Sequence, residues 1–521
     1  MIERVTNSYE HALQSVYWDI GNRGIRVDTD SIADASRIVD SEIARNLAIA
    51  SNQWGCIVFV GADNAPPEPD EIEDEDVESG DAPDPADLLG PGGSAVNINA
   101  TKGKYALLAK LKELGYDVPK ITKKNSEGDY ESNYSAGELA LQKMLSANQF
   151  NYPGGDPALR AILKIRELGK LKSSYLNARL FHRGSEYYFL SNYNVAGTLS
   201  GRRSSRRHTF GFGNNAQNFP KHSKIAGLFR KCLVARPGNI FLFVDQMQAE
   251  DWPVSALSGN LHALSDLQAG VDRHSKLASS IFGHRVPAKN DSDWDDALYD
   301  QERYIGKKAR HANNYGMTKF RFQDVLAQEA QLTVTLAVCG QILDAVDKAD
   351  PSVKGVFHKY VQDTLSATRT LITPFPFFRE RQFLSLRPTD AGSPAIKEAY
   401  AFIPQSTVGD NTGFSLLKLE SGKALEEQYV VQEGHDSIVQ DILDTPDSIY
   451  ENLLTTADSF DRKIRFHNGI EVLIPLEGEL GYDFNETVKI KHFTPEGIKE
   501  AWQRLQDKVH KSNLIQVAVG A

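Results

Sequence analysis

The sequence predicts an α+β protein in which short antiparallel strands are set into a mainly helical chain. Three stretches carry that prediction. Ile240-Phe241-Leu242-Phe243-Val244 is a short apolar run after the turn signal Pro237-Gly238-Asn239, the pattern of a buried strand, and it delivers Asp245 at its end. The stretch 429–439 reads as strand, tight turn and strand, with His435 and Asp436 at the turn. Residues 253–390 are dominated by helical periodicity.

Composition bounds the function. The chain has 521 residues, of which 41% are hydrophobic, so it is globular with core enough for several domains. No apolar run approaches the roughly 20 residues that span a bilayer. The start, Met1-Ile2-Glu3-Arg4, lacks the apolar core of a signal peptide. Cys56, Cys232 and Cys339 are far apart, which fits a reducing compartment with neither a disulfide framework nor a zinc site. The net charge of −11 argues against nucleic-acid binding only superficially, because twelve acidic residues and no Lys or Arg lie between Gly61 and Gly90. The rest of the chain is nearly neutral with local basic clusters, and a cleft potential depends on where charges sit.

Taken in order, residues 9–54 are mostly helical, interrupted by an alternating strand at Gly24–Asp28. Asp30 or Ser31 caps the next helix, whose expected buried stripe is Ile32, Ala35, Ile38, Ile43 and Leu47. Residues 61–97 read as a disordered acidic insertion, or as a surface for a basic partner. Thr101–Leu114 and Ala136–Leu145 are short helical patterns flanking a basic loop, Lys120–Lys124. Pro157–Leu180 is a strong helix whose cations, Lys170 and Lys172 among them, gather toward its C-terminal half. That face suits a phosphate backbone, or is simply solvated. Tyr187–Asn192 is strand-like. Ser200–His208 is the densest basic cluster, and arginine forks such as that of Arg202 match phosphates and base edges. Asn215, Gln217 and Asn218 offer amides that read base edges or make turns. Arg303, Lys307, His311 and Tyr315 recur every four residues, so a helix presents them along one face. Such a face suits a triphosphate at its cationic end and a base or sugar at its aromatic end. Thr494–Val509 is an amphipathic tail helix with Trp502 and Leu505.

Together these residues resemble the polymerase region of family A DNA polymerases, over residues 10–482. Asp245–Glu250 resembles motif A (D-Y-S-Q-I-E), Arg303-x3-Lys307-x3-His311-x3-Tyr315-Gly316 motif B, and His435-Asp436 motif C (H-D-E). Ser200-Gly201-Arg202 resembles T-G-R, Asn215-x-Gln217-Asn218-x-Pro220 resembles N-L-Q-N-I-P, and Gly270-x-Asp272-x-His274 resembles E-G-x-D-x-H. Each motif alone is weak; six in order are specific.

The resemblance implies a right-hand polymerase with an antiparallel palm sheet, helical fingers and a helical thumb. Its expected segments are palm at 1–28, thumb at 29–185, palm at 186–255, fingers at 256–390, palm at 391–482, and a tail helix at 483–521. It implies template-directed addition of deoxynucleoside triphosphates to a primer–template DNA. Phosphoryl transfer of this kind uses two divalent cations about 3.5–4 Å apart. By resemblance, Asp245, Asp436 and the Gln246 carbonyl hold magnesium, with manganese as a substitute. Arg303, Lys307 and His274 neutralise the triphosphate, Lys307 with a catalytic role; Gln246, Gln248, His311 and Tyr315 complete the nucleotide site. Glu250 closes the pocket against a ribose 2′-hydroxyl. Arg202, Asn215, Gln217, Asn218, Gln405, His435, Lys170 and Lys172 touch DNA.

The sequence departs from the family pattern at Gln246 (usually Tyr), Trp252 (usually Arg), His311 (usually Phe or Tyr) and Ser437 (usually Glu). Lys397 and Ala401 stand where Arg and Asn are usual. No domain with a D-x-E exonuclease start precedes the polymerase module, so the expectation is no proofreading in this polypeptide, with an exonuclease or other replisome protein on separate chains. The divergence suggests a bacteriophage-like enzyme working in a bacterial cytoplasm. Two other readings stand beside it: a single-subunit RNA polymerase, opposed by Glu250, and a catalytically inactive polymerase-fold scaffold, motivated by Ser437.

Overall fold

The computed structural model describes residues 7–60, 95–99, 106–124, 130–147, 155–384 (except 196, 199, 221–223, 290, 331 and 333), 393–421 and 429–519. Most of the expected acidic insertion, 61–94, lies outside them. The chain divides into two compact units: one comprises Met1–Ala35, Ser173–Phe322 and Ala337–Ala521, the other Ser36–Lys172 and Gln323–Leu336.

The larger unit is built on a five-stranded antiparallel sheet. Its strands are β1 (Asn239–Gln246), β2 (Tyr429–Glu433), β3 (Ser437–Leu443), β4 (Leu476–Gly481) and β5 (Thr487–Ile490), in the order β2-β3-β1-β4-β5. The expected antiparallel sheet is therefore present, with the opening apolar run as its central strand. Alternation along β1 explains its composition. Ile240, Leu242 and Val244 are fully buried and share a core with Phe402, Ile403 and Leu416 of α5 (Pro394–Ser421), Ile449 and Leu453 of α6 (Pro446–Phe460), and Ile498 and Leu505 of α7 (Pro495–Val519). Phe241 and Phe243 face the other way and pack edge-on against Phe484, with ring centroids 4.9 and 5.2 Å apart. Asp245 continues that second face. In α7, Trp502 also donates its indole N–H to Asp444 at 2.7 Å.

Three further helices of this unit matter for the site: α2 (Asp251–Leu257), α3 (Arg273–Phe282) and α4 (Asp296–Asn314). Asp272 caps α3 by accepting the His274 and Ser275 N–H groups, and Gly283 closes it in a left-handed conformation at φ 74°. A Cβ at Gly306 of α4 would meet the His274 carbonyl at 2.4 Å, so only glycine lets α4 approach α3 this closely.

The basic cluster at 200–208 divides by burial. Arg206 and Arg207 are exposed, but Arg203 is 1% exposed, donating to the Gly409 carbonyl and the Tyr9 hydroxyl, both at 2.6 Å, beside Asp410. Arg203 is thus part of the core and does not present its fork to nucleic acid.

The smaller unit packs Trp54, Val58, Val96, Leu107, Leu141, Leu159 and Ile162 together. Three expectations change here. Ile38 is 48% exposed while Val39 is fully buried, so the helical stripe runs one residue later at that turn. Ala95–Asn97 is a strand paired in parallel with Ile57–Phe59, so the irregular acidic segment ends before residue 95. Lys120–Lys124 is no loop: it is a strand paired antiparallel with Tyr130–Tyr134. The cap of the helix Thr29–Trp54 also differs. Asp28, rather than Asp30 or Ser31, accepts the Asp30 N–H at 3.0 Å. Lys170 is exposed, and Lys172 pairs with Asp40 at 2.5 Å.

Candidate active site

Sheet register brings the two aspartates of motifs A and C to adjacent strand ends. Asp245 of β1 pairs with Ser437 of β3, and the Gln246 N–H donates to the Asp436 carbonyl at 3.0 Å. Asp436 sits in the β2–β3 turn, where His435 adopts φ 76°. A Cβ at Gly434 would approach the Ser437 hydroxyl to 2.5 Å, so a larger residue there would have to turn that hydroxyl aside.

Both aspartates line a cavity of about 600 Å³ together with Gln246, Gln248, Glu250, Asp272, His274, Arg303, Lys307 and His311. Arg303 is fixed by its Nε donating to Asp272 at 2.7 Å. Burial and the neighbouring cations Lys308 and Arg303 push the Lys307 ammonium below its ordinary value, while Asp436 and Asp245 oppose that shift. The cationic face of α4 thus looks across the cavity at two carboxylates. Burial, with Arg310 and Arg303 nearby, pushes the His274 imidazole down to about 3, while Asp251 and Asp272 oppose that shift.

Glu250 is clasped from three sides. Arg202 and the Tyr315 hydroxyl donate to it, and His311 Nδ1 lies 3.8 Å away. Burial raises its carboxyl, but Arg202, His311 and the two hydrogen bonds hold it below the ordinary 4.5. Tyr315, at the C-terminal end of α4, thus has its hydroxyl committed to Glu250. Gln246 turns its side chain away, donating to Thr412 at 2.9 Å and accepting from Asn411 at 2.7 Å. Period-two alternation dictates this once Asp245 faces the cavity. Gln248, at φ 49°, bridges the Val271 carbonyl and the Arg273 N–H, tying motif A to the start of α3. Asn215 uses its carbonyl to cap the 3-10 turn Ala216–Asn218. Gln405 is half-buried on α5.

Sequence reading missed a buried charge network behind the cavity. Asp251 lies 3.6 Å from Arg273 and 3.5 Å from Arg310, and Arg273 continues to Asp350 at 3.5 Å. Arg273 stands inside the Gly270-x-Asp272-x-His274 motif and Arg310 one turn beyond Lys307, so the residues were visible, but their burial was not. Glu477 of β4, directly opposite Asp245 across the sheet, also lines the cavity.

Burial raises the Asp251 carboxyl, while Arg310 and Arg273 hold it below its ordinary 3.8. Glu250 and Asp251 thus both titrate lower folded than unfolded, so the unfolded chain binds more protons in acid. Their stabilisation is present above about pH 4.5 and is lost as pH falls through the folded values. Asp251→Asn should flatten that loss in urea titrations across the acid range; an unchanged pH slope would count against the network.

A family model described as DNA polymerase family A matches residues 90–482. The chain belongs to DNA polymerase family A. Among curated relatives, it is 26% identical over 334 residues to the thermostable DNA polymerase I of Thermus filiformis, covering 63% of this chain and 36% of that protein. It is 26% identical over 292 residues to DNA polymerase I of Chloroflexus aurantiacus, covering 54% and 28%. The chain thus spans about a third of the length of the curated relatives it matches. The POL domain of Pol1 from M. smegmatis, solved in complex with DNA primer-template and dNTP, matches at TM-score 0.64 and 17% identity, covering 91% of this chain and 70% of that one. That likeness shows the fold of a family A polymerase domain, with the α+β class and antiparallel sheet expected from the motifs.

Among the described residues no helix is long and apolar enough to cross a membrane, and no group of three or more His, Cys, Asp or Glu is arranged to hold a metal ion. Members of this family use divalent metal ions.

Proposed function

We propose that this family A chain is a template-directed DNA polymerase that adds deoxynucleotides to a primer 3′-hydroxyl. The single observation that carries this reading is the shared cavity, where Asp245 and Asp436 on one side oppose Arg303 and Lys307 on the other. Two carboxylates and cations across one polar cleft are the arrangement that triphosphate transfer needs.

Asp245, Asp436 and the Gln246 carbonyl form an all-oxygen donor set, which fits magnesium, with manganese as a substitute; waters and substrate phosphates would complete the shell. When bound, divalent cations would supply activation of the 3′-hydroxyl and neutralisation of the leaving pyrophosphate. Arg303, oriented by Asp272, and Lys307 bind the triphosphate. Phosphate charge arriving beside Lys307 favours the ammonium form that burial disfavours. Glu250, fixed by Arg202, Tyr315 and His311, closes the sugar side of the pocket. Arg202, Gln217, Gln405 and His435 meet the primer-terminal region. The same reading assigns palm to the sheet segments, fingers to 256–390, thumb to 29–185 and a bacterial cytoplasmic setting.

Primer extension by the purified chain with magnesium and the four deoxynucleotides tests this reading. Magnesium-dependent, template-directed extension is the expected result. Absence of extension favours the scaffold reading, and efficient ribonucleotide use favours an RNA polymerase. A mismatched primer in the same assay reads out any proofreading.

A further inference from the structure

The last residue of β2 carries a buried carboxyl that the chemistry above does not use. Glu433 is 0% exposed. It accepts the Gln217 side-chain amide at Oε2, 2.6 Å away, and the His435 backbone N–H at Oε1, 2.9 Å away. The two donors belong to different segments. Gln217 lies in the 3-10 turn Ala216–Asn218, and His435 lies in the motif C turn. Gln432 adds a second tie by donating to the Ala216 carbonyl. The Glu433 N–H is itself anchored on the Tyr193 hydroxyl at 3.3 Å.

His435 holds a left-handed backbone, which a residue other than glycine adopts only when its surroundings over-determine it. The hydrogen bond from its N–H to a buried carboxyl is such a constraint. Both Glu433 oxygens act as acceptors, so Gln217 presents its Nε2 to Oε2. Burial pushes the Glu433 carboxyl up to about 7, opposed by Arg203, Gln217 and the His435 N–H, with Asp436 adding to the rise. Tyr17 and Tyr193 also face it.

We infer that Glu433 is a positioning residue that fastens the Gln217 turn to the His435 turn, so that both segments meet the primer strand as one surface. The inference rests on the reading of Gln217 and His435 as primer-strand contacts. It explains why a buried acid sits two residues before motif C, at a hairpin whose register shifts between Val430 and Gln432.

The test compares Glu433→Leu, which keeps volume and removes both acceptors, with Glu433→Gln. Glutamine still accepts the His435 N–H and offers its amide to a flipped Gln217. Anisotropy of a fluorescein-labelled primer–template duplex gives DNA affinity, and steady-state extension at saturating duplex gives KM for deoxynucleotide. Glu433→Leu should weaken duplex binding about tenfold while KM moves less than about threefold, and Glu433→Gln should restore binding to within about threefold of wild type. Glu433→Ala, which admits water, replaces Leu if that variant does not fold. Combined with Gln217→Ala, the losses should be less than additive. Unchanged affinity in Glu433→Leu, equal losses in Leu and Gln, or full additivity overturns the fastening role. If Gln217→Ala and His435→Ala both leave duplex affinity unchanged, the primer-contact reading fails, and the inference fails with it.

Discussion

Asp436→Ala is expected to lower the rate of nucleotide addition by at least about 10³-fold while leaving primer–template binding within a few-fold of wild type. Asp245→Asn should match it. Each change removes one of the two motif carboxylates that line the cavity with Arg303 and Lys307, and with it an anionic oxygen ligand for the cations. Lys307 gives a second, independent expectation. Asp436 and Asp245 are the groups that favour its charged form against burial. Removing either carboxylate lowers the Lys307 ammonium further, so the falling, alkaline limb of the pH–rate profile should move to lower pH. Single-turnover extension at several pH values measures both effects. A loss smaller than about tenfold in either variant would sink the two-aspartate assignment. Ser437 makes this test sharper, because no motif C glutamate stands beside Asp436 to take over its part.

Glu250→Ala is expected to admit ribonucleotides, lowering the deoxy-over-ribo ratio of kcat/KM by about 10²-fold, the range open to a pocket that rejects one extra group. The side chain works as a wall only because it cannot swing away. Arg202, Tyr315 and His311 hold it from three sides. Glu250→Gln preserves the volume and should keep most of the selectivity. The alanine variant leaves the Tyr315 phenol and part of the Arg202 guanidinium without their partner, at a cost of about 1–3 kcal/mol in stability. Competitive incorporation of deoxy- and ribonucleotides, with urea unfolding in parallel, reads both. Unchanged selectivity in Glu250→Ala would remove Glu250 from the sugar side of the pocket.

The parts of the site that were legible in the sequence are those whose geometry is local. A strand ending in Asp245, a helix face repeating every four residues from Arg303, and a tight turn bearing Asp436 each announce a direction through backbone periodicity alone. Other residues kept their position in the motif, but their surroundings could not be read from it. His274 stands where a phosphate partner is expected, and burial beside two arginines lowers its imidazole. Tyr315 lies on the predicted face, and its hydroxyl donates to Glu250. Arg203 sits in the most basic stretch of the chain and is nevertheless core.

What the sequence determined by itself is the sheet-and-helix plan, the order of the motifs and the identity of the carboxylates and cations that face one another. Those follow from short-range rules: apolar alternation, helical spacing and turn residues. What only the tertiary structure decided is which polar groups are buried and by whom they are met. Glu433 meets Gln217 across 216 positions of sequence, and Asp251 meets Arg310 across 59. Desolvation and charge pairing act through space between segments brought together by folding, so no local pattern encodes them.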